Sequence, residues 1–303
     1  MEDVVMRVDD LPLPKVHSGK VGETFDTSSF IPGTQLEVRT DRISVKDCPL
    51  LTGIPGKGKV LTGISAAMFR EMEANGICPT HFIADDIAGF PPELINVLDP
   101  YKKILTGRAM LVRSARVLEF EFIPRSRMYG TARDSYLESG CKSIFGIPVP
   151  GNLKEGDRLP ATFFTLSTKA PAGQHDENIT YPDFIGRVGL PLAQQVRGMC
   201  LSIYEMMQII AAQCGFEYAD TKIELGWKFI PGIGWVLMAL DELGTPDSSR
   251  TIPSAMTKQP VRDYLARQGF TGDEPVALPD RVVEETSRNY YLMYTKVTGR
   301  KIA

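Results

Sequence analysis

Residues 219–250, ADTKIELGWKFIPGIGWVLMALDELGTPDSSR, predict a β-hairpin around which the rest of the chain is organised. The first segment alternates in character, so Asp220, Lys222 and Glu224 are expected on one face of a strand. The sequence PGIG at 231–234 predicts the turn, because glycine and proline favour tight reversals of the chain. The pattern therefore predicts two antiparallel strands with charged groups gathered on one side.

The register of this hairpin bears directly on function. If the turn is centred in the middle of PGIG, Glu224 lies opposite Asp241, and two like charges across a ladder are destabilising. A hard cation bound by carboxylate oxygens would compensate, and Mg²⁺ is such a cation. The alternative is an amphipathic strand with a solvated charged face and a register shifted by a residue. The hairpin alone leaves both interpretations open.

Composition indicates a soluble globular protein with one large domain or two lobes. The chain has 303 residues, of which 43% are hydrophobic and 23% charged. A net charge of −3 gives no basic field for nucleic acid, and apolar runs such as 234–240 are too short to cross a membrane. The acidic N-terminus lacks the apolar core of a secretory signal, and the five cysteines are scattered without a CxxC pair. A cytoplasmic protein with reduced thiols is the expectation.

Secondary-structure patterns divide the chain into two predicted lobes. A change from β-rich to helix-rich composition near 112–125 predicts an N-terminal lobe at 1–112 and a C-terminal lobe at 113–303. Apolar residues at helical spacing, with capping and stop signals, predict the main helices. The predicted helices lie at about 65–75, 92–97, 190–214 and 280–298, and the predicted strands at 35–39, 109–113 and 117–123.

Three further stretches carry side chains suited to phosphate or metal binding. HSGKVGETF at 17–25 suits a turn that closes over a phosphate, although an ordinary hairpin loop is equally consistent. An arginine cluster at 125–133 could bind a phosphate through bidentate contacts, or could be a solvated basic loop. Residues 163–179 concentrate polar groups. A lone histidine such as His175 is more often structural than a ligand, but its neighbours Asp176 and Glu177 keep a metal or nucleotide role open.

Taken together, these stretches resemble the SAICAR synthetase family of purine biosynthesis. The matching segments occur in the family's order over nearly the whole chain. They are GKV at 19–21, DRIS at 41–44, KGKVLTGIS at 57–65, FFTLSTKA at 163–170, HDENI at 175–179, ADTKIELG at 219–226, TPDSSR at 245–250 and KQPVRDYL at 258–265.

The resemblance implies an α+β, two-lobed fold related to ATP-grasp, with antiparallel sheets and packed helices. It implies an ATP- and Mg²⁺-dependent carbon–nitrogen ligase. ATP would phosphorylate the carboxylate of carboxyaminoimidazole ribotide, and the amine of L-aspartate would displace phosphate from that acyl phosphate to give SAICAR, ADP and phosphate. The implied partners are therefore small molecules, and a homodimer is left open because members of the family differ.

The resemblance also assigns roles to residues. Positions assigned to the nucleotide phosphates are Gly19, Lys20 and Lys169, joined by Glu224 and Asp241. Positions assigned to Mg²⁺ are Asp176, Glu224 and Asp241. Positions assigned to catalysis are Lys222, Asp220 and Arg250. Positions assigned to the imidazole ribotide are Asp220, Asp247 and Arg250, with Arg125 and Thr131 at its phosphate and with Asp47 and Arg262 toward the acceptor or aspartate.

Several positions depart from the family pattern. The glycine loop usually reads GKVRD, but Gly22 and Glu23 occupy its last two positions here. Lys46 replaces an aromatic residue, and most of the pattern VRGYxxGS is lost at 124–131. Together with Arg127 and Arg133, Lys46 predicts a more basic region around the ribotide and the amino acid.

Two alternative functions follow. The departures are compatible with a paralogous ligase that joins an amino acid to a related heteroaromatic carboxylate in nucleoside-type secondary metabolism. A non-catalytic nucleotide-binding protein is the alternative from another class. The retained Lys169, Asp176, Lys222, Glu224 and Asp241 argue against it, because degenerate relatives usually lose such groups.

Overall fold

The computed structural model describes residues 3–169 and 176–302. Its named strands all pair antiparallel, and helices pack on the resulting sheets, which confirms the predicted α+β class. Among the described residues, no helix combines the length and the apolar character needed to cross a membrane.

The strands and helices follow one another along the chain as mixed α and β elements. The strands are β1 Lys15–Ser18, β2 Gly22–Asp26, β3 Thr34–Arg39, β4 Ser44–Val45, β5 Cys48–Pro49, β6 Phe82–Ala84, β7 Ala109–Arg113, β8 Arg116–Val117, β9 Phe120–Arg127, β10 Ser143–Ile144, β11 Ile147–Pro148, β12 Arg158–Thr168, β13 Asn178–Ile179, β14 Glu217–Thr221, β15 Glu224–Ile230, β16 Gly234–Leu240 and β17 Ser249–Ile252. The helices are α1 Lys57–Ala74, α2 Pro92–Leu98, α3 Lys102–Leu105, α4 Thr131–Glu138, α5 Tyr181–Val188, α6 Leu190–Gln213, α7 Gln259–Arg267 and α8 Asp280–Thr298.

A five-stranded sheet in the order β1-β2-β3-β7-β6 forms the N-terminal part. Its strands alternate as a half-buried sheet requires. In β3, Leu36 and Val38 are fully buried in an apolar cluster with Phe25, whereas Glu37 and Arg39 project from the opposite face. The sheet thus presents a charged face to the rest of the molecule.

Two further sheets form the C-terminal part. One has the order β13-β12-β9-β14-β17, and the other has the order β16-β15-β8. The long helix α6 contributes Val196, Cys200 and Ile203 to the largest apolar core, whose other members come from both sides of the predicted lobe boundary, including Phe69 and Val112. The division at 112/113 stays a prediction.

The hairpin at 219–250 differs from its predicted form. The first strand is interrupted at Lys222, so that β14 pairs with β17 while β15 pairs with β16. The β15–β16 register places Glu224 opposite Leu240, and the predicted opposition of Glu224 and Asp241 is wrong by one residue. The cause is a three-residue loop centred on Gly232, whose φ of 80° is readily adopted only by glycine.

Helix α1 begins at Lys57, eight residues before the predicted start at Ser65. Its sequence contains two glycines, and their lack of a side chain allows neighbouring elements to pack closely against the helix. A Cβ at Gly58 would lie 2.2 Å from the Arg39 carbonyl oxygen, and one at Gly63 would lie 2.4 Å from the Tyr294 ring. These contacts bring α1 against β3 and α8.

The predicted strand 117–123 is in fact divided between two sheets. Its first part, β8, pairs with β15, and its continuation, β9, pairs with β12 and β14. The predictions for β7, α6 and α8 are confirmed to within one residue at their ends. Strong hydrophobic periodicity explains this success, since such segments need little tertiary information.

Asp41 links four segments of the N-terminal part. Its carboxylate accepts hydrogen bonds from the backbone N–H of Val5 at 2.8 Å and of Gly58 at 2.8 Å, and from Arg108 Nη1 at 3.0 Å. Asp41 is 0% and Arg108 2% exposed, so water cannot replace these bonds. The N-terminal arm, α1 and β7 are thereby fixed around one charge.

A second buried charge cluster links α1 to the C-terminal part. Lys57 Nζ lies 3.0 Å from Asp247 Oδ2, and the Tyr290 hydroxyl donates to Asp247 Oδ1 at 2.7 Å. Burial opposes ionisation of the carboxyl, but Lys57 and Lys258 outweigh it and hold the pKa of Asp247 well below its ordinary value. Burial, with smaller contributions from Arg262 and Lys57, lowers the pKa of Lys258 to about 8 against the attraction of Asp247.

We expect Asp41→Asn to lower the free energy of unfolding by about 3–5 kcal/mol, because the buried guanidinium of Arg108 loses its counter-charge. Urea titration followed by circular dichroism measures this quantity. The control is Arg70→Met, which removes a half-exposed pair with Asp85 and should change stability by only about 0–1 kcal/mol. Equal effects of the two substitutions would contradict the central role of Asp41.

Lys258→Met should stabilise the protein most below about pH 8. The unfolded chain binds the Lys258 proton up to its ordinary pKa of 10.5, whereas the folded chain releases it near pH 8. Between these values the unfolded state binds more protons, so the cost of the folded ammonium falls as pH rises. Urea unfolding from about pH 7 to about pH 10 should show the advantage of Lys258→Met shrinking. The exposed control Lys301→Met should change stability by an amount that does not depend on pH. A pH-independent advantage of Lys258→Met would contradict the prediction.

Candidate active site

A cleft of about 620 Å³ opens between the N-terminal sheet and the sheet that contains β15 and β16. Its walls come from distant parts of the sequence. From the N-terminal part they include the β1–β2 loop, Glu37, Arg39 and Asp47, and from the C-terminal part Lys169, Lys222, Glu224, Asp241, Asp247 and Lys258. Most of the predicted nucleotide-binding and metal-binding positions therefore share one concavity, as a binding site requires.

The predicted glycine loop is a tight turn between β1 and β2. The Gly19 N–H donates to the Gly22 carbonyl oxygen at 2.9 Å, and Lys20 lies at the tip. The exposed Lys20 Nζ lies 2.6 Å from Asp47 Oδ1. Lys20 and Asp47, predicted for different substrates, thus meet on one side of the cleft.

A chain of alternating charges crosses the cleft. Lys222 Nζ donates to Glu121 Oε1 at 2.8 Å and lies 3.6 Å from Glu224 Oε1, while Lys169 donates to Glu224 Oε2. Burial lowers the pKa of Lys222, but Glu121, Glu224 and Asp241 outweigh it, so the net shift is upward. Lys222 therefore remains an ammonium, which suits charge neutralisation rather than proton abstraction.

The two carboxylates of the cleft differ in proton affinity. Burial raises the pKa of Glu224, and the neighbouring Asp241 adds to the rise although Lys222 and Lys169 oppose it. For Asp241, burial alone would raise the pKa, but Arg39, Lys222 and Lys169 lower it to about 2. Asp241 is therefore the firmly ionised member of the pair.

The predicted magnesium ligands fit the ion in part. Carboxylate oxygens suit Mg²⁺, which usually takes one or two of them together with water and substrate phosphates, so Glu224 and Asp241 provide a sufficient protein donor set. Asp241 Oδ2 accepts no hydrogen bond from a residue in 3–169 or 176–302, since Arg39 contacts only Oδ1. Across these residues there is no group of three or more His, Cys, Asp or Glu side chains that could hold a metal. Asp176 is exposed, its metal role stays a prediction, and His175 lies outside the described residues.

The predicted ribotide residues gather on three adjacent strands. Asp220 in β14 is the register partner of both Arg125 in β9 and Arg250 in β17. Arg250 Nη1 lies 2.7 Å and Arg125 Nη1 3.8 Å from Asp220 Oδ2. Arg250 also packs on Gly130, directly before the exposed Thr131 at the start of α4. The sheet thus brings these four predicted residues together.

Arg262 lies in α7, near this cluster. Burial lowers the pKa of its guanidinium and Arg250 adds to the effect, whereas Tyr290, Asp220 and Asp247 oppose it. Arg262 Nη1 donates to Gln259 Oε1 at 3.3 Å, within its own helix. Its predicted role near the acceptor or aspartate is compatible with these neighbours and stays a prediction.

Two of the three additional basic residues are paired with carboxylates, and the third, Lys46, bonds to a neutral carbonyl group. Arg127 Nη2 lies 2.6 Å from Glu217 Oε2, and Arg133 Nε lies 3.4 Å from Glu155 Oε2. Lys46 donates to the backbone oxygen of Phe270 at 3.0 Å. The prediction of a more basic ribotide region thus loses much of its physical support.

The sequence argument missed several charged residues in or beside the cleft. Arg39 and Lys258 line it, whereas Glu121 and Lys57 contact the lining residues Lys222 and Asp247. Glu121 could have been found, because its strand alternates and places a carboxylate on one face. Arg39 carries no such local signal, since its partner Asp241 lies 202 residues away.

Comparisons with known proteins identify the family of this chain. The family model for SAICAR synthetase matches residues 15–277. The phosphoribosylaminoimidazole-succinocarboxamide synthase of Geobacter sp. (strain M21) is 39% identical over 313 aligned residues, which cover 100% of both chains. The synthase of Geotalea uraniireducens (strain Rf4) is 38% identical over 311 residues, covering 99% of each chain.

Solved structures show the same fold. The SAICAR synthase from Saccharomyces cerevisiae complexed with SAICAR matches with a TM-score of 0.83 and 29% identity, over 99% of this chain and 100% of that chain. A type-2 SAICAR synthetase in complex with ADP matches with a TM-score of 0.66 and 19% identity, over 95% and 99% of the two chains. On the full-length match to the curated relatives, and on a family model that covers most of its residues, this chain belongs to the SAICAR synthetase family.

Proposed function

We propose that this chain forms SAICAR from carboxyaminoimidazole ribotide, L-aspartate and ATP. The observation that carries the proposal is the single cleft in which Lys20, Lys169, Lys222, Glu224 and Asp241 converge, in a member of a family whose relatives bear the name of this synthase. In the reaction, a carboxylate oxygen attacks the γ-phosphorus of ATP and ADP leaves. The aspartate amine then adds to the acyl carbon, phosphate leaves, and an amide remains.

The lysines of the cleft provide what the first step needs. Phosphoryl transfer depends mainly on positioning and on neutralising the charge of the phosphate oxygens. Lys222 keeps its ammonium because Glu121 and Glu224 flank it, and Lys169 is tied to Glu224 from the other side. We assign Lys222 to the transferring phosphoryl group, and Lys20 and Lys169 to the nucleotide phosphates.

Glu224 and Asp241 are the proposed protein ligands of Mg²⁺. Bound there, the ion would neutralise phosphate charge beside the lysines. The low pKa of Asp241 supports its part of this assignment, because a metal ligand must be deprotonated. Asp176 is the proposed third, more distant carboxylate.

The arginine and aspartate cluster of β9, β14 and β17 is the proposed ribotide site. Asp220 holds Arg250 and faces Arg125, so both guanidinium groups are oriented before substrate arrives. Asp247 lines the same cleft as Lys222 and accepts a hydrogen bond from the Tyr290 hydroxyl. An acceptor bound across Asp220 and Asp247 would present its carboxylate toward Lys222.

The paralogue hypothesis is not favoured by the comparisons. The arginines that suggested it are paired with Glu217 and Glu155. The curated relatives reported above carry the name of one and the same synthase.

The purified protein should release ADP only when carboxyaminoimidazole ribotide and L-aspartate are both present. A coupled assay for ADP, with formation of the succinocarboxamide followed by absorbance, measures the reaction. Omission of aspartate is the control for simple ATP hydrolysis. Turnover at background while ADP still binds would overturn the proposed acceptor.

Glu224→Gln should weaken the contribution of Mg²⁺ to ADP binding by about tenfold or more, because one carboxylate ligand is lost. Calorimetric titration with ADP, with and without Mg²⁺, measures this contribution. The matched control is Glu217→Gln. It likewise removes one carboxylate from a salt bridge, in this case with an arginine, but Glu217 lies away from the cleft. If Glu224→Gln keeps the full effect of Mg²⁺, Glu224 is not a metal ligand.

A further inference from the structure

Arg39 is a charged residue of the cleft that neither the family motifs nor the proposed mechanism uses. It lies at the end of β3 and lines the cleft beside Asp241. Its Nη2 donates to Asp241 Oδ1 at 2.7 Å and to Glu37 Oε2 at 2.9 Å. The guanidinium is therefore held from two sides at one of its nitrogen atoms.

The rest of this guanidinium is available to a ligand. Within residues 3–169 and 176–302, both hydrogen bonds of the Arg39 side chain run through Nη2, and Nε and Nη1 make none. Neither Nε nor Nη1 is buried without a hydrogen-bond partner. Since they make no hydrogen bond, both have exposed surface, and a ligand can reach them from the cleft. Burial lowers the pKa of the guanidinium, but Asp241 and Glu37 outweigh it and the net shift is upward, so the charge persists at every working pH.

The register of the sheet relates Arg39 to the departure in the glycine loop. Gly22 in β2 is the direct partner of Arg39 in β3. A Cβ at Gly22 would lie 3.5 Å from Arg39 Cδ, so a side chain at position 22 would run alongside the Arg39 side chain. The GKVRD pattern has arginine at this position. In this chain the arginine stands on the neighbouring strand instead.

We propose that Arg39 binds the phosphate oxygens of the nucleotide and takes the place of the arginine missing from position 22. Nη2 fixes the guanidinium on Asp241 and Glu37, and Nε and Nη1 donate to an anionic phosphoryl group in the cleft. The ligand class is a nucleoside di- or triphosphate. The inference rests on the proposed function, because it assumes that the phosphates lie beside Asp241.

The test compares ADP and adenosine binding by calorimetry. Arg39→Ala should weaken ADP binding roughly 10- to 100-fold, the loss expected for a charge-assisted hydrogen bond, and leave adenosine binding unchanged. Gly22→Arg combined with Arg39→Ala should recover most of the ADP affinity, because the guanidinium returns on the paired strand. Urea unfolding of each variant shows that it is folded, and Arg70→Met is the control for loss of an arginine outside the cleft.

Four results would overturn the inference. ADP affinity that survives Arg39→Ala in a protein that still turns over would refute Arg39 alone and leave the proposed function intact. Equal losses of ADP and adenosine affinity would indicate a structural role. A folded double variant without recovery would show that the two strand positions are not equivalent. If the unaltered protein binds no ADP, the proposed function and this inference fall together.

Discussion

The structure depends on the need to balance two neighbouring carboxylates in one cleft. Glu224 is buried and Asp241 is partly buried, so water screens their mutual repulsion only in part. Lys169 and Lys222 compensate Glu224, whereas Arg39 compensates Asp241. Each of these cations comes from a different strand or strand end, so the balance of charge is also a constraint on how the sheets meet.

That constraint joins the two parts of the chain. Arg39 belongs to the N-terminal sheet and Asp241 to the segment after β16. Their hydrogen bond joins two residues that are 202 positions apart in the sequence. The approach of α1 to β3 is possible because Gly58 has no side chain. The same helix delivers Lys57 to Asp247, so that a packing requirement and a charge requirement are met by one element. A cleft built in this way is pre-organised for anions, because its cations are already held in place.

The sequence predicted what is local and missed what depends on distant partners. The ends of α8 and the strand β7 followed from hydrophobic periodicity, and the PGIG turn from its glycines. The predicted register of the hairpin was wrong by one residue. The number of residues in the loop decides the register, and the sequence alone does not determine that number. Motif residues such as Lys169 and Glu224 were found from the family resemblance. Glu121 and Arg39 were not, since their contacts with Lys222 and Asp241 arise only in the folded sheet.

A departure from a family pattern can therefore be judged only with its partners in view. Arg127 and Arg133 looked like added positive charge, but each is paired with a carboxylate, Glu217 and Glu155 respectively. Arg39 attracted no attention in the sequence, yet only one of its nitrogen atoms is occupied by the carboxylates beside it. What matters chemically is the charge that remains after pairing inside the cleft. By that measure, Arg39 on the neighbouring strand compensates for the arginine that the glycine loop lacks at position 22, because the two positions are paired in the sheet.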